Sequence, residues 1–164
     1  MRYQPFVVLL LFLAGLVACE PGECELGGQP KPGIDFHTFV RDDVGDSLVD
    51  TQVSVRLLRI ESPGFYNLVD SLASNDTLTT SLLSLPLPPR GDQVTYYLEF
   101  VGQPSSVLDT LVLHYRARPV LVSYECGFLT NFDSLRVLSH TFDSVQVLLD
   151  TVDTQNETNL RIYF

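Results

Sequence analysis

Nine of the thirteen aspartates in this chain are followed at once by serine or threonine, where composition alone gives about two such pairs. They are Asp46, Asp50, Asp70, Asp76, Asp109, Asp133, Asp143, Asp150 and Asp153. A carboxylate beside a hydroxyl can do two kinds of work. The Asp oxygen can accept backbone N–H groups in an Asx turn that opens a strand, or the hydroxyl can carry a covalent group. Seven of the pairs run on into Leu48, Leu72, Leu78, Leu111, Leu135, Val145 or Val152, as a strand start requires. Among other groups able to do chemistry, Asp42, Asp43 and Asp46 crowd one turn, and Asp150, Asp153 and Glu157 form a looser set. Either set could lend oxygens to calcium or carboxylates to hydrolysis, yet neither has EF-hand spacing, and a solvated hairpin turn is the simpler reading. His37, His114 and His140 each stand alone in strand-like contexts, without the short His or Cys spacings of metal sites. The sequence contains no Gly-x-Ser-x-Gly nucleophile and no phosphate-binding glycine loop. It therefore names no catalytic residue, no metal ligand and no cofactor.

The elements that position these residues begin after residue 33. Met1 to Cys19 reads MRYQPFVVLLLFLAGLVAC, with Arg2 preceding an apolar run of 13 residues from Phe6 to Ala18. That run is short of the roughly 20 residues a membrane-spanning helix needs, so it predicts a cleaved secretory signal. Leu16-Val17-Ala18-Cys19 resembles the lipobox of bacterial lipoproteins, which implies cleavage before Cys19 and lipidation of its sulfur; an ordinary signal with a coincidental cysteine is the alternative. The expected organisation is a signal peptide at 1–18, a Gly/Pro-rich tether at 19–33 and one domain at 34–164. Twenty acidic residues against nine basic ones after the signal, with Lys31 the only lysine, argue against nucleic acid and anionic lipid. Arg116 and Arg118 read as isolated charges. If Cys19 is lipidated, Cys24 and Cys126 are the one pair left for an intramolecular disulfide in an oxidising compartment; two free thiols are the alternative.

Within the domain the periodicity is that of strands. Val94, Tyr96, Leu98 and Phe100 alternate on one face, as do Val145, Val147 and Leu149, and Leu160, Ile162 and Phe164. From Val53 to Ile60 the apolar phase switches from Val53, Val55 and Leu57 to Leu58 and Ile60, which predicts a bulge. FDSLRVL at 132 and FDSVQVL at 142 read as two neighbouring strands with similar turns before them. Turn chemistry at Asp43-Val44-Gly45-Asp46, Ser62-Pro63-Gly64, Pro88-Pro89-Arg90-Gly91 and Gly102-Gln103-Pro104 separates the apolar runs. About eight strands at this spacing predict an all-β sandwich of immunoglobulin-like, Greek-key type, with a closed barrel as the rival.

Several motifs together are similar to a family of small Bacteroidota lipoproteins classed as a domain of unknown function. They are the lipobox cysteine with Cys24 close behind, Leu85 to Leu87, the stretch from Asp109 to Phe128, and the ending of Asn159 with Arg161 to Phe164. The most specific element is Val122, Ser123, Cys126, Gly127 and Phe128. The resemblance implies a cell-envelope location and supports the sandwich and the disulfide, but brings no catalytic residue. The Asp-Ser/Thr-aliphatic pattern also resembles the O-glycan attachment signal of such bacteria, with Ser47 and Thr77 the best candidate acceptors. The function expected is a non-catalytic binding or accessory subunit, held to the outer membrane by its lipid and working with an outer-membrane protein. An envelope hydrolase using Asp42, Asp43 and Asp46, and a calcium-stabilised adhesin, are the alternatives.

Overall fold

The computed structural model describes residues 30–42, 47–63, 77–102, 108–124, 127–155 and 157–164. Cys19, Cys24, Cys126, Asp43 and Asp46, and with them the lipidation and disulfide expectations, lie outside the described residues. Among those described, the regular structure is all strand. Ten strands run in order: β1 (Gly33–Arg41), β2 (Leu48–Gln52), β3 (Val55–Glu61), β4 (Leu78–Thr80), β5 (Leu82–Ser84), β6 (Gln93–Phe100), β7 (Asp109–Ser123), β8 (Gly127–His140), β9 (Ser144–Val147) and β10 (Thr158–Tyr163). This is the all-β sandwich that the alternation predicts; the number exceeds eight because three-residue strands such as β4 and β5 are too short to show a period.

The first sheet is built around β1, which pairs in parallel with β10 and antiparallel with β2 and β5 at successive stretches of its other edge; β9 completes it beyond β10. The second sheet has the order β4-β3-β6-β7-β8. The two sheets are stitched along one side. Phe132 of β8 and Val152 exchange both backbone bonds, at 3.0 and 2.8 Å, and the Leu135 N–H donates to the Asp150 carbonyl at 2.9 Å. FDSLRVL and FDSVQVL therefore enter different sheets, β8 and β9, and are not paired as neighbours in one.

The inner faces follow the sequence closely. Val94, Tyr96, Leu98 and Phe100 of β6, Leu111, Leu113 and Tyr115 of β7, and Leu160 and Ile162 of β10 are all buried. At one end of the sandwich Phe100 meets Phe36, Phe142 and Phe164 edge-on, with centroids 5.2–6.2 Å apart, the favoured arrangement for the ring quadrupoles. The bulge falls where the phase switches. The β3–β6 register slips between Leu57 and Arg59, so Leu57 and Ile60 both point inward while Leu58 is exposed.

Leu85 to Pro88 links the sheets. Leu85 and Leu87 are buried, while the Pro86 and Pro88 carbonyls accept the hydroxyls of Tyr96 and Tyr115, the latter at 2.8 Å. Prolines cannot donate to a ladder, so side-chain hydroxyls satisfy the segment's carbonyls instead.

Candidate functional site

Alternation puts Ile34 and Phe36 into the core and turns Asp35 and His37 to the opposite face of β1. Register then brings together residues far apart in sequence. Phe39 of β1 lies opposite Asp50 of β2, and Asp35 and His37 lie beside Arg161 and Tyr163 of β10. The result is a compact charged cluster. His37 Nδ1 is 2.6 Å from Asp50 Oδ1, and its Nε2 is 3.1 Å from Asp35 Oδ2. Arg161 donates to Asp35 Oδ2 from Nε and Nη2 and to Asp50 Oδ2 from Nη1, each at 3.3 Å. The Tyr163 hydroxyl donates to Asp50 Oδ2 at 3.2 Å, and the Tyr163 ring stacks on Phe39 with centroids 5.0 Å apart.

Asp35 and His37 are buried although they face away from the core. The hydrogen bond from His37 is the main cause that holds the Asp50 carboxyl below the usual carboxylate range; partial burial opposes it, and Tyr163 and Arg161 add to it. Both ring nitrogens of His37 face carboxylate oxygens, and both contacts are hydrogen bonds only when each nitrogen carries a proton. Two carboxylates then balance one imidazolium and one guanidinium. With both ring nitrogens so placed, side-chain contacts tie β2, β1 and β10 together. Asp35 Oδ1 alone is buried there without a partner.

The expectation that His37 stands alone is corrected here: β pairing supplies partners from residues 50, 161 and 163. Two of the five cluster residues were legible together, because Asp35 and His37 at i and i+2 in a strand must share a face. His114 and His140 do not join it; His140 Nδ1 lies 3.1 Å from the Phe142 carbonyl. Arg116 and Arg118 are not isolated either, since both reach Asp133, Arg116 at 2.8 Å.

The aspartate pairs act mainly as punctuation. Ser47 and Thr77 directly precede β2 and β4, Asp109-Thr110 opens β7 and Ser144 opens β9. Asp133-Ser134 sits inside β8 where the register with β7 shifts, and Ser134 takes a left-handed φ of 57°. Asp153 forms an Asx turn, accepting the Gln155 N–H at 2.8 Å. Asp109 instead accepts the Thr141 hydroxyl at 2.9 Å, and that oxygen in turn accepts the Thr110 N–H. Ser47 is exposed and Thr77 half-buried. Asp42 is exposed and its N–H donates to the Ser47 carbonyl at 2.8 Å, closing the β1–β2 ladder. No three His, Cys, Asp or Glu side chains converge on a possible metal position among the described residues, and Asp150, Asp153 and Glu157 do not do so.

A family of unknown function, DUF6452, matches residues 64–164, more than half of the chain. The chain belongs to that family. No curated protein and no solved structure matches it. The matched segment is not structurally self-contained, because β1 lies between β2 and β10 in one sheet and β3 between β4 and β6 in the other. Residues 33–61 thus complete both sheets on which the family's segment is built.

Proposed function

We propose that this family member is a lipoprotein of the cell envelope, anchored to the outer membrane through Cys19 and acting as a non-catalytic binding or accessory subunit for an outer-membrane protein. The observation that carries the non-catalytic reading is the Asp35–His37–Asp50–Arg161 cluster, in which acid, base and cation are paired with one another, Asp35 Oδ1 apart. A binding role draws support from the β1–β2 hairpin, where Phe39, Val40, Leu48 and Val49 are exposed together, Leu48 at 66%. Apolar groups clustered in this way at one end of a sandwich suit a protein partner. The lipobox-like Leu16 to Cys19 supports the anchor, and a Cys24–Cys126 disulfide would suit the oxidising compartment to which it leads. Ser47, exposed before β2, is the better glycan acceptor, and half-buried Thr77 the poorer.

The test is to isolate the natively expressed protein in mild detergent and identify its companions by mass spectrometry. An acyl-bearing Cys19 and one outer-membrane protein in comparable amount are expected. A protein that comes out alone removes the accessory role, and a Cys19 without acyl mass removes the anchor.

A further inference from the structure

β7 and β8 are 15 and 14 residues long, and only part of each belongs to the sandwich. From Asp109 to Tyr115, β7 alternates between buried and half-buried positions; from Arg116 onward it is mostly exposed. Its pairing with β6 ends at His114, after which the Tyr115 N–H donates to the Asp92 carbonyl. Beyond that point its strand partner among the described residues is β8 alone, through to the Ser123–Gly127 pair. Beyond the Phe132–Val152 bridge the hairpin is, among the described residues, a two-stranded arm, and such ribbons are marginal in water by themselves.

Its far part carries apolar side chains on both faces, with Ser123 and Thr130 among them and Glu125 between Tyr124 and Cys126 in the sequence. Leu121 lies opposite Phe128 on the face continuous with Tyr115, and Val120 lies opposite Leu129 on the other. Tyr124 is 97% and Phe128 70% exposed. Behind them, Arg116 and Arg118 with Asp133 form a charged collar. Apolar side chains on both faces of a tip, with a charged collar behind them, suit a medium that surrounds the tip.

The arm leaves the sandwich at the end where the tether joins. Gly33 begins β1 opposite Ser84, and Pro88, four residues on, accepts the Tyr115 hydroxyl at the base of the arm. The Phe39 end of β1 points the other way, toward Phe164 and Phe100. From Arg118, the first residue past the pair to bridged Phe132, to Ser123 the arm spans about 17 Å. The eleven residue steps from Cys19 to Pro30 reach up to about 36–40 Å, enough for a lipid at Cys19 and the arm's tip to meet one bilayer.

We infer that the β7–β8 tip, through Val120, Leu121, Val122, Tyr124 and Phe128, inserts into the interface of the bilayer that holds the lipid. This rests on the lipid-anchored reading above. The apolar stretch from Val120 to Tyr124 is about 13 Å long, less than half of a hydrocarbon core of about 30 Å, so the tip dips into one leaflet. The edges of the ribbon, unpaired among the described residues, forbid deeper passage, because their backbone groups need interfacial water. The acidic balance of the chain favours zwitterionic headgroups. Insertion at this end turns the β1–β2 hairpin away from the membrane, toward a partner.

The chain has no tryptophan, so single substitutions make clean reporters. Lipidated full-length protein, its acyl mass confirmed first, is reconstituted in phosphatidylcholine vesicles as the Tyr124→Trp, Phe128→Trp and Phe39→Trp variants. The first two are expected to show a blue-shifted emission quenched by bromine-labelled acyl chains, and the third a water-like emission without quenching. Water-like, unquenched emission at Tyr124→Trp and Phe128→Trp in protein carrying its acyl chains overturns the inference. So does a blue shift without bromolipid quenching, which means burial against protein. Absence of acyl mass defeats the anchor reading instead, and is seen before any fluorescence is read.

Discussion

His37 is held from both sides by carboxylates that belong to different strands, so its loss has two consequences. Replacing it by alanine leaves buried Asp35 with Arg161 as its remaining counter-charge and is expected to cost on the order of 2–4 kcal/mol in denaturant unfolding. Asp50 supplies the pH signature. Its folded-state carboxyl titrates below its unfolded value, chiefly because His37 donates to it, so the stabilisation is complete above about pH 4 and fades as pH falls through the folded value. Asp133 behaves alike, with Arg116 as the main cause. The melting temperature of the native chain should therefore fall more steeply below about pH 4 than that of Asp50→Asn. Equal slopes in a thermal scan across acidic pH would mean that the cluster contributes nothing. Asn159 is a second hub at this scale. Its Oδ1 accepts the Gly33 N–H at 3.1 Å and its Nδ2 donates to the Thr151 carbonyl at 2.6 Å, ties that a sequence reading of the C-terminal strand did not assign.

At the scale of elements, two features decide how strands meet. Gly33 is required by close approach, since a Cβ there would lie 2.7 Å from the Glu157 carbonyl oxygen where β1 begins to run beside β10. The Leu85–Pro88 link is fixed by tyrosines from the opposite sheet. Burial pushes the Tyr115 hydroxyl up to about 12, with nearby Asp92 adding to it, and burial raises Tyr96 further. The neutral phenols are favoured in the fold, so their stabilisation is present below about pH 10 and is lost as pH rises through the folded values. Tyr115→Phe should lose about 1 kcal/mol at neutral pH and show a shallower alkaline loss of stability than the native chain. Unfolding followed by circular dichroism between neutral and alkaline pH checks both, and an unchanged alkaline limb would remove Tyr115 from the account.

For the whole molecule, the proposed Cys24–Cys126 bond joins the tether to the end of the long arm, because Ser123 and Gly127 bracket Cys126 as a strand pair. A loop of roughly 100 residues closed in this way is worth up to about 4–5 kcal/mol in the chain-entropy model. The oxidised protein should resist thiol alkylation until reduced, and reduction should lower its denaturation midpoint. Alkylation of two thiols without reductant would dispose of the bond. Such a bond places Cys19 five residue steps from the arm's attachment point, about 18 Å at most, and so holds anchor and tip at the same surface.

What the sequence determined by itself is what depends on nearest neighbours along the chain. Alternation at Val94 to Phe100 and Leu160 to Ile162 fixed which faces are buried, the phase switch after Leu57 located the bulge, and four of the nine Asp-Ser/Thr pairs, those of Ser47, Thr77, Asp109 and Ser144, marked strand starts. Each is a local consequence of a period of two or of a side chain reaching its own backbone. The tertiary structure decided the rest. That Asp35 and His37 share a face was readable, but Asp50, Arg161 and Tyr163 reach them only because β1 pairs with β2 on one edge and with β10 on the other. Arg116 and Arg118 found Asp133 in the same way, through the β7–β8 register. The apolar run from Val120 to Val122 lies past Arg116 and Arg118 on the same strand, and the end of β6 leaves it in the open. Strand partners are chosen across long separations by total burial and register, and no local period in the chain encodes that choice.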